Sequence, residues 1–201
     1  MLKRLFDILV SFTALILLLP LFLLIAVWIK MDSKGSVFYR QERVGKNFVP
    51  FHLFKFRSME NNAEQKGQLT VGMRDSRITR SGYFIRKYKL DELPQLINVL
   101  LGEMSVVGPR PEVKKYVDMY KQEQRKVLSV KPGITDYASL QFSNENEILG
   151  KSTEPEKTYI EDIMPQKLAL ALHYVENQSF WVDIQLIAKT LIKIISHDKS
   201  L

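Results

Sequence analysis

The 201-residue chain contains no cysteine. That absence excludes a disulfide framework, a thiolate zinc site and a thiol nucleophile, and it is compatible with a reducing cytoplasm. Histidine is scarce as well: His52, His173 and His197 lie far apart in sequence, and their spacing matches no zinc site. There are no internal repeats and no low-complexity tracts. Charge is missing altogether from residues 8–29, where only Ser11 and Thr13 are polar.

That uncharged run is about as long as the ~20 residues needed to cross a bilayer. A cleaved signal peptide fits badly, because the run ends in Val27-Trp28-Ile29-Lys30 without a small-residue cleavage pattern. The buried helix of a soluble protein fits worse, since residues 15–24 are apolar on all sides. Pro20, in the middle, removes a backbone hydrogen bond and kinks a helix. Lys3 and Arg4 precede the run while Lys30 and Lys34 follow it, so the flanks set no orientation by the positive-inside rule. A kinked helix with both ends on the cytoplasmic face accounts for these features; a plain spanning helix carrying a proline is the alternative. The expected organisation is a membrane helix with its flanks over residues 1–34 and a cytoplasmic domain over 35–201, large enough for its own core.

A net charge of +7 calls for a polyanionic partner, and nucleic acid, anionic lipid headgroups or a nucleotide diphosphate would each answer it. No nucleic-acid motif is present and the basic residues lack an interleaved stacking pattern, which argues against nucleic acid.

After the turn at Gly35, residues 36–41 and 48–57 read as strands, with Pro50 demoting the start of the second. Lys55 and Arg57 share one strand face; His52, Phe54 and Phe56 share the other. Residues 60–80 read as a polar surface loop in which Arg74, Arg77 and Arg80 are solvated or attracted to lipid headgroups. A helix is expected from about Asp91, with Pro94 in its first turn and Gly102 as its stop. Gly108-Pro109-Arg110-Pro111 is a rigid loop. Residues 112–130 read as one amphipathic helix, 136–156 show little periodicity, and 165–175 and 182–195 read as helices. In the last, Ile184, Ile187, Leu191, Ile194 and Ile195 form a stripe for core packing, with a place on the membrane surface as the alternative. The fold class is α+β: the membrane helix followed by a small mixed domain.

Asp91 and Glu92 are the sharpest chemical feature. An adjacent acid pair is often an ordinary helix start, but Arg86, Lys87 and Lys89 lie just upstream and Arg110 follows between two prolines. A carboxylate held ionised among such charges suits a nucleophile or metal ligand. Lys55, Arg57, Arg86 and Arg110 are candidates to converge on a diphosphate. Mg²⁺ would suit a site of carboxylate and phosphate oxygens.

The stretch Leu90-Asp91-Glu92-Leu93-Pro94-Gln95-Leu96-Ile97-Asn98-Val99, continuing through Gly102-Glu103-Met104-Ser105-Val106-Val107-Gly108-Pro109-Arg110-Pro111, closely resembles the signature of the bacterial sugar transferases, the polyprenyl-phosphate phosphoglycosyltransferases. Lys3-Arg4-Leu5-Phe6-Asp7, Gln41-Glu42-Arg43-Val44-Gly45, Phe54-Lys55-Phe56-Arg57-Ser58-Met59 and Lys131-Pro132-Gly133-Ile134-Thr135 match in the family's order. Weaker likeness follows near Tyr174 and Asp183. The resemblance implies a monotopic enzyme of the bacterial cytoplasmic membrane, with a re-entrant helix kinked at Pro20 and amphipathic interfacial helices seating the catalytic domain on the cytoplasmic face. It also implies a Mg²⁺-dependent reaction in two steps. Asp91 attacks the β-phosphorus of a UDP-sugar, UMP leaves, and polyprenyl phosphate resolves the covalent sugar-phosphate enzyme. Glu92 would help with the metal or the proton, so that the pair Asp91 and Glu92 is also the expected metal site. Lys55 and Arg110 match basic residues suited to the phosphates, and Arg57, Arg86 and Lys131 are grouped with them. Homo-oligomerisation is compatible with the pattern and not specified by it. The chain departs from the family where Leu19-Pro20 replaces a Ser-Pro pair, and again at Asp136-Tyr137-Ala138-Ser139; sugar contacts beyond Thr135 are not carried over. A transferase moving the sugar without its phosphate would release UDP instead, and a basic membrane adaptor would have no need of Asp91.

Overall fold

The computed structural model describes residues 2–63, 67, 69–72 and 75–197, without the side chains of 194–197. Arg74 therefore lies outside the described residues. The first element, α1 (Leu2–Asp32), is helical on both sides of Pro20. It is long and apolar enough to cross a membrane, and only 17% of its most apolar 18-residue window is buried within the protein. The helix is not wrapped in protein like the core helix of a soluble fold: Leu9, Phe12, Leu17 and Leu24 are exposed, while Phe22, Ile25 and Ile29 are buried.

A hairpin follows. Strand β1 (Phe38–Val44) pairs antiparallel with β2 (Pro50–Phe56), Phe38 opposite Phe56 and Val44 opposite Pro50. Pro50 occupies the first residue of its strand, where a missing N–H is tolerated. The two faces of β2 are covered by different elements. Phe51 and Leu53 pack with Val99 and Met104, whereas Phe56 joins Phe22, Ile25, Ile29 and Ile85.

Thr79 caps α2 (Arg80–Lys87), its hydroxyl accepting the Gly82 N–H at 3.0 Å. A tight turn at Leu90–Glu92 leads through Pro94 into α3 (Gln95–Leu101), and Gly102 ends that helix at φ +87°, a conformation that favours glycine. A short parallel pair comes next: β3 (Ser105–Val107) runs beside β4 (Gly133–Thr135). The chains touch there, since a Cβ on Gly133 would sit 2.0 Å from the Gly108 nitrogen.

The single amphipathic helix expected over 112–130 does not form. In its place are one turn, α4 (Lys114–Val117), and a 3₁₀ segment at Gln124–Ser129. The Gln124 side chain accepts the Lys121 N–H at 2.8 Å, a local bond that competes with helix continuation. Two short helices, α5 (Tyr137–Gln141) and α6 (Glu145–Lys151), occupy the stretch without periodicity. Asp136 caps the first by accepting the Ser139 N–H at 2.7 Å.

Helices α7 (Pro155–Thr158), α8 (Met164–Asn177) and α9 (Phe180–His197) complete the chain. The expected stripe of α9 is displaced in part. Asp183 and Leu186 face inward, while Leu191 and Ile192 are exposed; the side chains of Ile194 and Ile195 lie outside the described residues. The cause is polar: Asp183 accepts from Tyr174 Oη at 2.7 Å and pairs with Lys3 at 2.5 Å.

The described residues of 60–79 form no regular helix or strand, as expected, but Arg77 among them is not solvated. It is buried, bonded to Asp75 and to the carbonyls of Ala63, Gly67 and Leu69. It folds the loop around one guanidinium. Arg80 is exposed.

Candidate active site

The acids of the Leu90–Glu92 turn are delivered by an unusual residue just before them. Lys89 has φ +56°, left-handed for a side chain with a Cβ, and it reverses the chain between α2 and the turn. Asp91 and Glu92 then meet β2, which presents Lys55 on the face that also carries Phe51 and Leu53. The Lys55 ammonium is 3.3 Å from Glu92 Oε1. From the proline-framed loop, Arg110 NH1 donates to Glu92 Oε2 at 3.1 Å, while NH2 meets Oε1. The Arg110 backbone N–H is directed to Asp136 Oδ2 at 3.3 Å.

Glu92 is thus paired with two cations, whereas Asp91 is not. Asp91 is 5% exposed, and among the described residues its carboxylate makes no hydrogen bond or ion pair. Burial raises its pKa and Glu92 adds to the rise, against the opposing pull of Lys55, Arg86 and Lys89. Burial would also raise Glu92, but Arg110 and Lys55 outweigh it and hold that carboxyl well below its usual range. Burial lowers the Lys55 pKa against the pull of Glu92, and the Glu92 carboxylate raises that of Arg110. The surroundings drive the two neighbouring carboxyls apart, Glu92 downward and Asp91 upward.

Arg86, on α2, lies close enough for its charge to act on Asp91. Its Nε is buried without a partner, and NH1 makes only a long 3.5 Å contact to Ser58 Oγ. Arg57 is placed elsewhere. The strand ends at Phe56, and the guanidinium turns to the C-terminal end of α1, donating to the carbonyls of Lys34 at 2.8 Å and Ser33 at 2.7 Å. A buried cation at a helix C-terminus answers free carbonyls, so strand parity misassigned it to the phosphate group. Lys131 is also apart from the cluster. The charges acting on it are Arg4, Asp7 and Lys46, and it lies by Gly102 at the far end of α3 from the acids.

A model of the bacterial sugar transferase family matches residues 1–197. The chain belongs to that family. It is 39% identical over 197 residues to the UDP-N-acetylgalactosamine-undecaprenyl-phosphate N-acetylgalactosaminephosphotransferase of Aeromonas hydrophila, covering 96% of this chain and 44% of the relative. It is 38% identical over 194 residues to the UDP-glucose:undecaprenyl-phosphate glucose-1-phosphate transferase of Klebsiella pneumoniae, covering 95% and 39%. The chain therefore spans less than half the length of these two relatives. A third similar protein, the exopolysaccharide production protein PSS of Rhizobium leguminosarum bv. phaseoli, is 36% identical over 209 residues with 98% and 97% coverage.

Among the described residues of this sugar transferase, no three His, Cys, Asp or Glu side chains gather as a metal cage. Mg²⁺ is commonly held by one or two carboxylates with substrate phosphates. The donor chemistry fits that mode through Asp91, whose carboxylate is free. Glu92 already meets Arg110 and Lys55, and its Oε2, with one donor, keeps a lone pair that such an ion could use.

The sequence reading left three contributors without a role. Asp136 fixes the Arg110 loop from β4's end. Asp7 accepts from Ser105 Oγ at 3.1 Å and from the Val106 N–H at 3.0 Å. Lys3 reaches Val107 O at 3.0 Å. The last two lie in a quoted motif, but their partners at Ser105, Val106, Val107 and Asp183 are far along the chain, and spacing carries no sign of them.

Proposed function

We propose that this sugar transferase moves a sugar 1-phosphate from a UDP-sugar to a polyprenyl phosphate, with Asp91 as the nucleophile. The observation that carries the reading is the division between the acids: Glu92 holds Lys55 and Arg110 together while the buried Asp91 carboxylate stands unpaired beside them. An Asp91 oxygen forms a bond to the β-phosphorus, the bond from that phosphorus to the bridging oxygen breaks, and its electron pair leaves with UMP. An oxygen of the polyprenyl phosphate then attacks the same phosphorus, and the Asp91 carboxylate departs. Such a covalent route divides one difficult transfer into two. Arg110, Lys55 and Arg86 supply the positive charge that a transferring phosphoryl group requires, and the unpartnered Nε of Arg86 is a donor free for it. A magnesium ion held by Asp91 and the substrate phosphates would neutralise diphosphate charge. The activities that the Aeromonas and Klebsiella relatives are named for support the same reaction class.

The membrane arrangement we propose is re-entrant. A straight helix from Asp7 to Asp32 would extend about 37 Å, more than the ~30 Å hydrocarbon core. Yet Asp7 is bonded to Ser105 and Val106, and Asp32 accepts from Ser81 N and Oγ, each at 2.8 Å. Both polar ends are tied to one folded body, which supports a cytoplasmic location for both. Exposed Tyr83 and Phe84 on α2, Tyr88 just after it, and Trp181, Leu191 and Ile192 on α9 suit an interfacial seat. Lys87 on α2 adds charge for anionic headgroups.

The test is a product assay with a panel of UDP-sugars, including UDP-N-acetylgalactosamine and UDP-glucose, with polyprenyl phosphate added or omitted. UMP is the expected product. Release of UDP would establish transfer of the sugar without its phosphate.

A further inference from the structure

Gln95 is the second residue near the acids to be buried without a partner. It is 1% exposed, and its Nε2 has no hydrogen-bond acceptor. The backbone from the acid turn into α3 stays helical, with Leu93 at φ −56°, ψ −35° and Pro94 at φ −62°, ψ −14°. Gln95 therefore follows Asp91 by a little over one turn, since the bonds from Leu93 N to Leu90 O and from Leu96 N to Leu93 O are of the tighter 3₁₀ kind.

Contacts on either side bracket Gln95. One turn further on, Asn98 accepts the Phe54 N–H at 3.0 Å and donates to His52 O at 2.8 Å. One turn back, Glu92 meets Lys55 on the same strand. Gln95 lies between these two contacts along the chain, about one turn from the nucleophile of the proposed reaction. An unpaired buried amide is costly, and the fold gains nothing from it in this state.

We infer that Gln95 is a positioning residue, whose amide donates to one Asp91 oxygen when donor is bound and leaves the other oxygen for phosphorus. Asp91 and Gln95 are a little over one turn apart, and among the described residues the Gln95 Nε2 and the Asp91 carboxylate have no other hydrogen-bond partner. A carboxylate held by one oxygen presents its second along a defined line, which free rotation about χ2 does not. The inference rests on the reading of Asp91 as nucleophile.

The experiment compares the full chain with Gln95→Met in lipid nanodiscs, using whichever UDP-sugar the wild type turns over. Methionine fills a similar volume without a donor. The expected result is a melting temperature equal to or above that of the wild type, an unchanged KM, and kcat lower by about 100-fold, the scale of an ångström-sized misplacement. Gln95→Glu, which sets a second acid beside Asp91, should show the same loss of kcat. Wild-type kcat in Gln95→Met would overturn the role of Gln95. So would a loss confined to KM, which marks substrate contact, or a loss that follows the melting temperature, which marks packing. No UMP release by the wild type would remove the underlying reading of Asp91, a separate and distinguishable outcome.

Discussion

Arg110 grips Glu92 at two points: NH1 lies 3.1 Å from Oε2 and NH2 meets Oε1. Lys55 reaches Oε1 of the same carboxylate from β2, at 3.3 Å. One acid thereby holds two cations from separate parts of the chain at the door of Asp91. Arg110→Lys keeps the charge but loses the fork. It should fold and bind donor, with kcat/KM for UMP release lower by about 100-fold, the scale of losing one positioned donor. A wild-type rate in that variant would show that the two-point grip has no part in catalysis.

Glu92→Gln leaves Lys55 and Arg110 facing each other without a counter-charge. Breaking a desolvated charge pair from one side costs about 2–5 kcal/mol; the value here should fall at the low end, because the Arg110 side chain is 31% exposed. Thermal unfolding of the wild type, Glu92→Gln and the double variant with Arg110→Gln forms a cycle. The double variant should recover part of the loss, and strict additivity would deny the coupling.

Arg57 should matter to folding and not to phosphate. Arg57→Ala removes the donors to Ser33 and Lys34 and should lower stability by about 2–3 kcal/mol, the scale of charged hydrogen bonds. The KM of the remaining folded enzyme for UDP-sugar should not change. A large rise in KM at unaltered stability would return Arg57 to the substrate.

Acid should weaken the contact between β1 and the loop after Pro111. Burial pushes the Glu112 carboxyl up, but Arg43, Lys167 and the Tyr159 hydroxyl outweigh it and hold its pKa below the ordinary value. A depressed acid stabilises the fold above its unfolded pKa of about 4.3, and that contribution disappears as the pH falls through the lower folded value. Between pH 6 and pH 3 the stability difference between wild type and Glu112→Gln should therefore shrink. A difference that stays constant would place no titration at Glu112.

Much of this site was legible locally, because its signals are local. Pro94 and Gly102 bracket α3, and the proline-framed Arg110 loop contains no regular structure. Lys55 faces Glu92 because strand parity holds through β2. Parity failed two residues later, where the strand ended and free carbonyls of α1 drew Arg57 away. The β3 and β4 pair was invisible for another reason: three-residue strands meeting across about 28 residues have no periodicity, only the Gly108 and Gly133 approach. Lys131 belonged to a genuine motif, but a motif does not state which end of α3 its side chain will reach. In α9 the hydrophobic stripe was right for Ile187, which packs against the Val107, Tyr174 and Leu186 cluster, but not for exposed Leu191, because buried Asp183 helps set the inward face.

The topology can be tested directly because the chain has no cysteine. Single cysteines at Leu2→Cys and Lys34→Cys should label with a membrane-impermeant maleimide from the cytoplasmic face of the membrane only. Labelling from opposite faces would establish a spanning helix and require the Asp7 and Asp32 contacts to break.

The central claim is the nucleophile. Intact-protein mass should be measured after incubation with an active UDP-sugar and Mg²⁺, without polyprenyl phosphate, for the wild type and Asp91→Asn. The account predicts a mass increase of one sugar phosphate on the wild type, discharged by polyprenyl phosphate, and neither adduct nor UMP release with Asp91→Asn. Turnover by Asp91→Asn at the wild-type rate would contradict it.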